Sequence, residues 1–133
     1  MPLKIRSAIL CDLVRTEDNG KHIIIGVYTG DVLFAEFPAK FAPTFWIEFK
    51  PFEGDEEMAF EVKMDIPGAK VPRIGAGKIK AERGKAAILV SRGPVLEIKN
   101  PGILRLSIRS KGGRWIQAIA KDVGIVESSP PSA

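Results

Sequence analysis

Large apolar side chains alternate with polar ones along several short stretches of the chain. In residues 57–66, EMAFEVKMDI, every second residue from Met58 to Ile66 is large and apolar. Residues 45–50, FWIEFK, and 103–110, ILRLSIRS, repeat this pattern. A period of two places these side chains on one face of an extended strand, whereas a helix would distribute them around its axis. The pattern therefore predicts three half-buried β-strands.

Two further apolar stretches near the start of the chain predict a β-hairpin. Residues 4–14 and 21–28 are rich in Ile, Leu and Val, and the sequence EDNGK lies between them. Asn-Gly supplies the positive φ angles that tight hairpin turns require. Because apolar residues occupy both faces of these strands, we expect both strands to lie in the centre of a sheet. The polar PFEGDE segment predicts a second hairpin, between residues 45–50 and 57–66.

Short strands separated by turns continue to the end of the chain. Proline and glycine indicate a crossover loop at 36–43 and a long loop at 65–78. The other predicted strands are 32–34, 78–83, 86–90, 95–99 and 114–126, the last running antiparallel to 103–110. The AERGKAAIL segment is also compatible with one helical turn.

These elements favour an all-β fold. Seven to nine short strands with frequent turns are typical of a two-sheet antiparallel sandwich of the Ig-like or Greek-key type, with at most one short helical turn. A β-barrel is the alternative architecture. We expect residues 1–126 to form a single β-sandwich domain. Residues 127–133, ESSPPSA, are predicted to be a flexible C-terminal tail.

Several strand and turn motifs resemble those of a family of small bacterial all-β proteins classed as a domain of unknown function. The motifs are Cys11-Asp12, Gly20-Lys21, Ile25-Gly26-Val27, Phe37-Pro38-Ala39, and Pro101-Gly102 followed by Leu104, Leu106 and Gly112. The similarity extends along nearly the whole chain. The resemblance implies a compact β domain, and it implies no substrate.

Composition predicts a cytoplasmic protein that does not enter a membrane. The 133 residues are 45% hydrophobic and 27% charged, which is typical of globular domains. No apolar run approaches the roughly 18–20 residues that cross a membrane as a helix, and the N-terminal residues lack the pattern of a secretory signal. A single cysteine permits no internal disulfide.

Cys11, Asp12 and His22 are the residues that most resemble a nucleophile with its base and orienting group. In a hairpin that turns at Asn19-Gly20, Cys11 would pair near Gly26–Thr29. His22 would then lie several residues away along the strand, beyond hydrogen-bonding distance. We therefore expect Cys11 to be a small core residue and predict no catalytic residues.

The sequence also predicts no metal and no cofactor. One His and one Cys cannot form a closed zinc site, and the acidic residues 53–57, EGDEE, lack the spacing of a calcium loop. Residues 74–80, IGAGKIK, lack the spacer, the Ser or Thr, and the helix of a phosphate-binding loop.

Charge is distributed unevenly between the two halves of the chain. Residues 1–69 have a net charge of −5, and residues 70–133 have +9. The excess of cations predicts a candidate anion-binding set: Lys78, Lys80, Arg83, Arg105, Arg109 and Arg114. Two interpretations stay open: these residues bind an anionic partner, or strands from the two halves alternate in the fold and the charges neutralise locally.

We therefore expect a non-enzymatic interaction or structural module. A protein partner or self-association would be recognised by the 65–78 loop, the basic faces or an exposed sheet edge. The alternative is sequence-independent binding of the phosphate backbone of nucleic acid by the basic half. Of the ten aromatic residues, only Trp115 lies among the basic ones, which argues against a platform for stacking bases.

Overall fold

The computed structural model describes residues 3–126, which form eleven β-strands and no helix. The strands are β1 (Ile5–Thr16), β2 (His22–Val27), β3 (Val32–Phe34), β4 (Ala39–Phe41), β5 (Thr44–Phe49), β6 (Glu56–Asp65), β7 (Arg73–Ala81), β8 (Ile88–Arg92), β9 (Leu96–Ile98), β10 (Gly102–Ser110) and β11 (Ile116–Ile125). The prediction of an all-β fold is confirmed. The predicted tail at 127–133 lies outside the described residues. Within the described part, no helix has the length and apolar character needed to cross a membrane.

The strands are arranged in three sheets. One sheet has the order β2-β1-β5-β8, a second has the order β3-β11-β10-β6-β7, and β4 pairs with β9 in a third. The strand count exceeds the predicted seven to nine. The prediction of a crossover loop at 36–43 is wrong in part, because β4 lies within that segment and pairs with β9. The pairing is not wholly antiparallel, since β3 runs parallel to β11.

The N-terminal hairpin is confirmed, with one correction. β1 and β2 pair antiparallel, and the turn between them closes through a hydrogen bond from the Gly20 backbone N–H to the Glu17 carbonyl. Gly20 has a φ of +84° there, and within residues 3–126 no residue other than glycine has a positive φ. The correction concerns β2, which lies at the edge of its sheet rather than in the centre.

The strand faces of β5 and β6 agree with the sequence pattern, but their predicted pairing is wrong. Phe45, Ile47 and Phe49 are buried on β5, as are Met58 and Met64 on β6. However, β5 pairs with β1 and β8, whereas β6 pairs with β7 and β10. The segment between them therefore carries the chain from one sheet to another.

The predicted loop at 65–78 is also wrong, because β7 begins at Arg73 and pairs with β6 along its whole length. Gly75 and Gly77 supply no side chains to this strand. The ring of Phe60 fills the missing volume at Gly77, since a Cβ there would lie 2.6 Å from Phe60 Cζ. Packing from the neighbouring strand thus stabilises a segment whose own composition suggests a loop.

The hydrophobic core draws residues from all three sheets. Its buried members include Leu10 of the first sheet, Leu104 and Ile108 of the second, and Leu96 and Ile98 of the third. These side chains belong to one contiguous cluster.

Candidate functional site

A hydrogen bond between Trp46 and His22 shows that β1 bends sharply. Trp46 lies on β5 opposite Ile9, whereas His22 lies on β2 opposite Thr16. The seven steps from Ile9 to Thr16 would span about 23 Å in a straight strand. Nevertheless, the Trp46 indole N–H donates to His22 Nδ1 at 3.0 Å. The outer half of the β1–β2 hairpin must therefore curve back over the face of the sheet that carries Trp46.

The bend coincides with a distortion of β2 at Gly26. Its φ is +70°, and a Cβ at this position would overlap the carboxylate of Asp12 on β1. Glycine inside a strand commonly marks such a close approach by a neighbouring group. The Asp12 carboxylate accepts a hydrogen bond from the Tyr28 hydroxyl at 2.9 Å. Burial, the hydrogen bond to Asp12 and the negative charge of the Asp12 carboxylate together raise the pKa of Tyr28 to about 12.

The structure separates Cys11 from His22, as the hairpin register predicts. Cys11 pairs with Val27 on one side and with Thr44 on the other. Its fully buried thiol donates to the Thr44 carbonyl at 3.6 Å, and burial raises the pKa of that thiol. A nucleophilic cysteine requires a lowered thiol pKa, because the thiolate is the reactive form. The geometry therefore gives Cys11 the environment of a core residue.

The outer face of β2 is the most exposed apolar strand surface in this sheet. Ile23, Ile25 and Val27 are 42%, 43% and 44% exposed, respectively, and all three share one face. The side chain of Leu13 on β1 continues this face, because Leu13 lies directly opposite Ile25. One side of the β2 backbone pairs with β1, and in residues 3–126 no strand pairs with the other side.

The composition of β2 differs from that of the other long sheet edges. β7 contains Arg73, Lys78 and Lys80, and β8 ends in Arg92. Charged residues, lysine in particular, discourage other chains from pairing with an edge strand. β2 has the sequence HIIIGV and contains no Lys, Arg, Asp or Glu. It is therefore an unprotected edge, which the sequence pattern obscured because apolar residues on both faces are typical of a central strand.

The predicted basic residues lie largely on the outer face of the five-stranded sheet, where acidic residues alternate with them. β6 lies between β7 and β10 and places carboxylates opposite their cations. Lys78 forms an ion pair with Glu57 at 3.2 Å, and Arg109 forms one with Glu61 at 3.2 Å. The remaining members of this face are Lys80, which is opposite Glu57, and Arg105, which is opposite Asp65. The acidic and basic halves of the chain thus meet within one sheet.

The other two predicted basic residues, Arg83 and Arg114, lie outside these strands and do not extend the face into a continuous cationic surface. Arg83 lies in the turn after β7, where its backbone N–H donates to Asp55 Oδ1 at 2.8 Å. Arg114 is exposed and lies two residues before the start of β11. Its neighbour Trp115 packs under two cations, with Arg109 Cζ at 4.1 Å and Lys63 Nζ at 4.6 Å from the ring centroid. This aromatic face is therefore already occupied by the protein's own side chains.

Neither the composition of the surface nor comparison with known proteins assigns a reaction. Within residues 3–126, no three His, Cys, Asp or Glu residues are grouped in a way that could hold a metal ion. No protein-family model matches the chain, and no curated protein matches it. The candidate site therefore stands on the geometry of β2 alone.

Proposed function

We propose that this protein is a non-enzymatic interaction module in which the edge strand β2 pairs with β2 of a second copy. The observation that carries the proposal is the unprotected edge: six residues without a charged side chain and with three partly exposed aliphatic ones. Edge strands of this kind accept another strand through backbone hydrogen bonds, and alternate side chains then determine which strand fits.

A second copy is the simplest partner because its β2 is also an edge strand without a charged side chain. Antiparallel pairing about a two-fold axis at Ile24 would place Ile23 of one copy opposite Ile25 of the other. The apolar face of Leu13 and Ile25 would then continue across the interface. The two four-stranded sheets would become one eight-stranded sheet, and the exposed edge of each copy would be covered.

The expected dimer is weak. A pair of six-residue strands buries much less than the roughly 800 Å² per partner that is typical of stable complexes. Each cross-strand apolar pair contributes only about 0.2–1 kcal/mol. We therefore expect dissociation constants in roughly the micromolar range or above, so that the dimer forms on concentration and separates on dilution.

Sedimentation velocity over a hundredfold range of concentration tests the proposal. The wild-type protein should shift from monomer to dimer, and Ile25→Lys should stay monomeric because the lysine protects the edge. The matched control is Ile74→Lys, which changes an aliphatic residue that is 62% exposed on β7 and should dimerise like the wild type. A wild-type monomer at every concentration would refute the proposal, as would an Ile25→Lys variant that dimerises normally.

The predicted alternative, binding of a phosphate backbone, has weaker support because acidic residues of β6 neutralise the cations beside it. Titration with duplex DNA at low and high salt separates the two functions. We expect no salt-sensitive binding, since that behaviour requires several cations free to contact phosphates. Binding at low salt that is lost at high salt would favour the alternative.

The proposal includes a sandwich arrangement of the two larger sheets and the predicted cytoplasmic location. The sandwich is supported by the single hydrophobic cluster that receives buried residues from both sheets. Ile25 is 43% exposed in the single copy, so its side chain is accessible to a second copy. A reduced, buried Cys11 is compatible with the cytoplasm.

A further inference from the structure

An apolar cleft opens between the four-stranded and five-stranded sheets, on the side opposite β2. Its volume is about 380 Å³, which lies within the range of small-molecule sites. The apolar lining residues include Phe45 and Ile47 of β5, Val62 and Met64 of β6, Ile74 of β7, Leu89 of β8 and Leu106 of β10. The cleft is therefore continuous with the hydrophobic core and reaches the surface between the edge strands β7 and β8.

Small residues on these two edge strands keep the cleft open. Gly75 of β7 lies opposite Val62 and supplies no side chain, and a Cβ there would lie 3.2 Å from Val62 Cγ2. Ser91 of β8 lies opposite Phe45 and is the only inward-facing polar residue of that strand. Larger aliphatic residues at positions 75 and 91 would close the gap between the sheets.

The charged residues that line the cleft are both cations. Arg73 lies opposite the buried residue Met64, so it belongs to the core-facing side of β7, and Arg92 lines the cleft from the end of β8. Within residues 3–126, neither arginine forms an ion pair with a carboxylate. No Asp or Glu contributes to the lining. An apolar cavity with a guanidinium at its entrance is complementary to an apolar ligand that ends in an anion.

We propose that this cleft binds a medium-chain aliphatic monocarboxylate. The hydrocarbon chain lies among Ile47, Met64 and Leu106, and the carboxylate contacts the guanidinium of Arg73. This site is independent of strand pairing at β2, so either proposal can fail without the other. Each further buried CH₂ group should strengthen binding about three- to fourfold until the cleft is filled.

Isothermal titration calorimetry with octanoate, decanoate and decanol tests the proposal below the concentrations at which these compounds aggregate. We expect decanoate to bind about tenfold more tightly than octanoate, and decanol to bind at least tenfold more weakly than decanoate. Arg73→Gln should weaken decanoate binding about tenfold, whereas Arg114→Gln, which changes an exposed arginine outside the cleft lining, should leave it unchanged.

Two variants that fill the cleft separate specific binding from adsorption to the surface. Gly75→Leu and Ser91→Leu should each abolish binding, and their cooperative thermal unfolding would show that they fold. The proposal is overturned if wild-type protein does not bind decanoate. It is also overturned if decanol binds as tightly as decanoate, or if a folded cleft-filling variant binds decanoate as the wild type does.

Discussion

Replacing Gly26 with alanine should destabilise the protein more than the same replacement at Gly20. Gly26 has a φ of +70°, where an L-residue costs about 1–2 kcal/mol. The new Cβ would also overlap the Asp12 carboxylate. Asp12 must then leave its rotamer, at about 0.5–1.5 kcal/mol, and lose its hydrogen bond to Tyr28, which contributes about 1 kcal/mol. We expect a total loss of about 3 kcal/mol.

Gly20→Ala is the matched control for this prediction. Gly20 has a similar φ of +84°, but nothing lies within 4 Å of a Cβ built there. It should therefore cost only the backbone component of about 1–2 kcal/mol. In an Asp12→Ala background the overlap with the carboxylate disappears and only the Cβ of residue 12, at 3.0 Å, stays close, so the cost of Gly26→Ala should fall toward that of Gly20→Ala.

Urea unfolding, monitored by tryptophan fluorescence, measures these differences. The variants are Gly20→Ala, Gly26→Ala, Asp12→Ala and the double variant Asp12→Ala/Gly26→Ala. The free energy of unfolding should rank wild type, Gly20→Ala and Gly26→Ala in decreasing order, with equal m-values. Equal costs for the two alanine variants, or a cost at Gly26 that does not depend on Asp12, would refute the role assigned to the contact between β1 and β2.

Three further predictions concern Tyr28, Leu104 and the contact between Arg109 and Trp115. Tyr28 is the only tyrosine, so its phenolate absorbance should titrate with a pKa of about 12, and Asp12→Asn should lower that pKa. Because an unfolded tyrosine ionises near pH 10, the unfolded state loses its proton first, and stability should fall between about pH 10 and 12; a native pKa near 10 would contradict this. Leu104→Ala removes a side chain that is 1% exposed and should cost about 2–5 kcal/mol in urea unfolding, whereas a loss below about 1 kcal/mol would place Leu104 outside the core. A double-mutant cycle of Arg109→Ala and Trp115→Ala should give a coupling energy of about 0.5–1 kcal/mol from the cation–π contact, and additive losses would contradict that contact.

The sequence predicts the faces of the strands more successfully than their partners. Alternation on β5 and β6 identifies their buried side chains because the period of two is a local property. Which strands pair depends on the path of the intervening chain, and a polar turn of six residues suits either a hairpin or a passage between sheets. The local pattern therefore could not place β5 and β6 in different sheets.

The errors at β7 and β2 have a common physical origin. Gly77 makes β7 resemble a loop, but Phe60 of the neighbouring strand supplies the missing packing. The side chains of Ile23 and Ile25 make β2 resemble a central strand, although nothing covers its outer edge in the described part of the chain. In both strands, contacts that are distant in sequence, or their absence, decide the environment.

The candidate sites depend even more on long-range placement. The uneven charge of the two halves suggests a basic surface, yet the strand order β7-β6-β10 places acidic β6 between basic neighbours. Five strands contribute to the apolar cleft, which no local motif marks. By contrast, the separation of Cys11 from His22 follows directly from the register of one hairpin and was predictable from the sequence.

Hydrogen–deuterium exchange at two protein concentrations tests the proposed β2 pairing most directly. Backbone amides of residues 22–27 that face the open edge should exchange more slowly at high concentration than at low concentration. The amides of β7, a long edge protected by charged residues, should exchange at the same rate in both. Unchanged exchange along β2, or slowing along β7 in its place, would contradict the account.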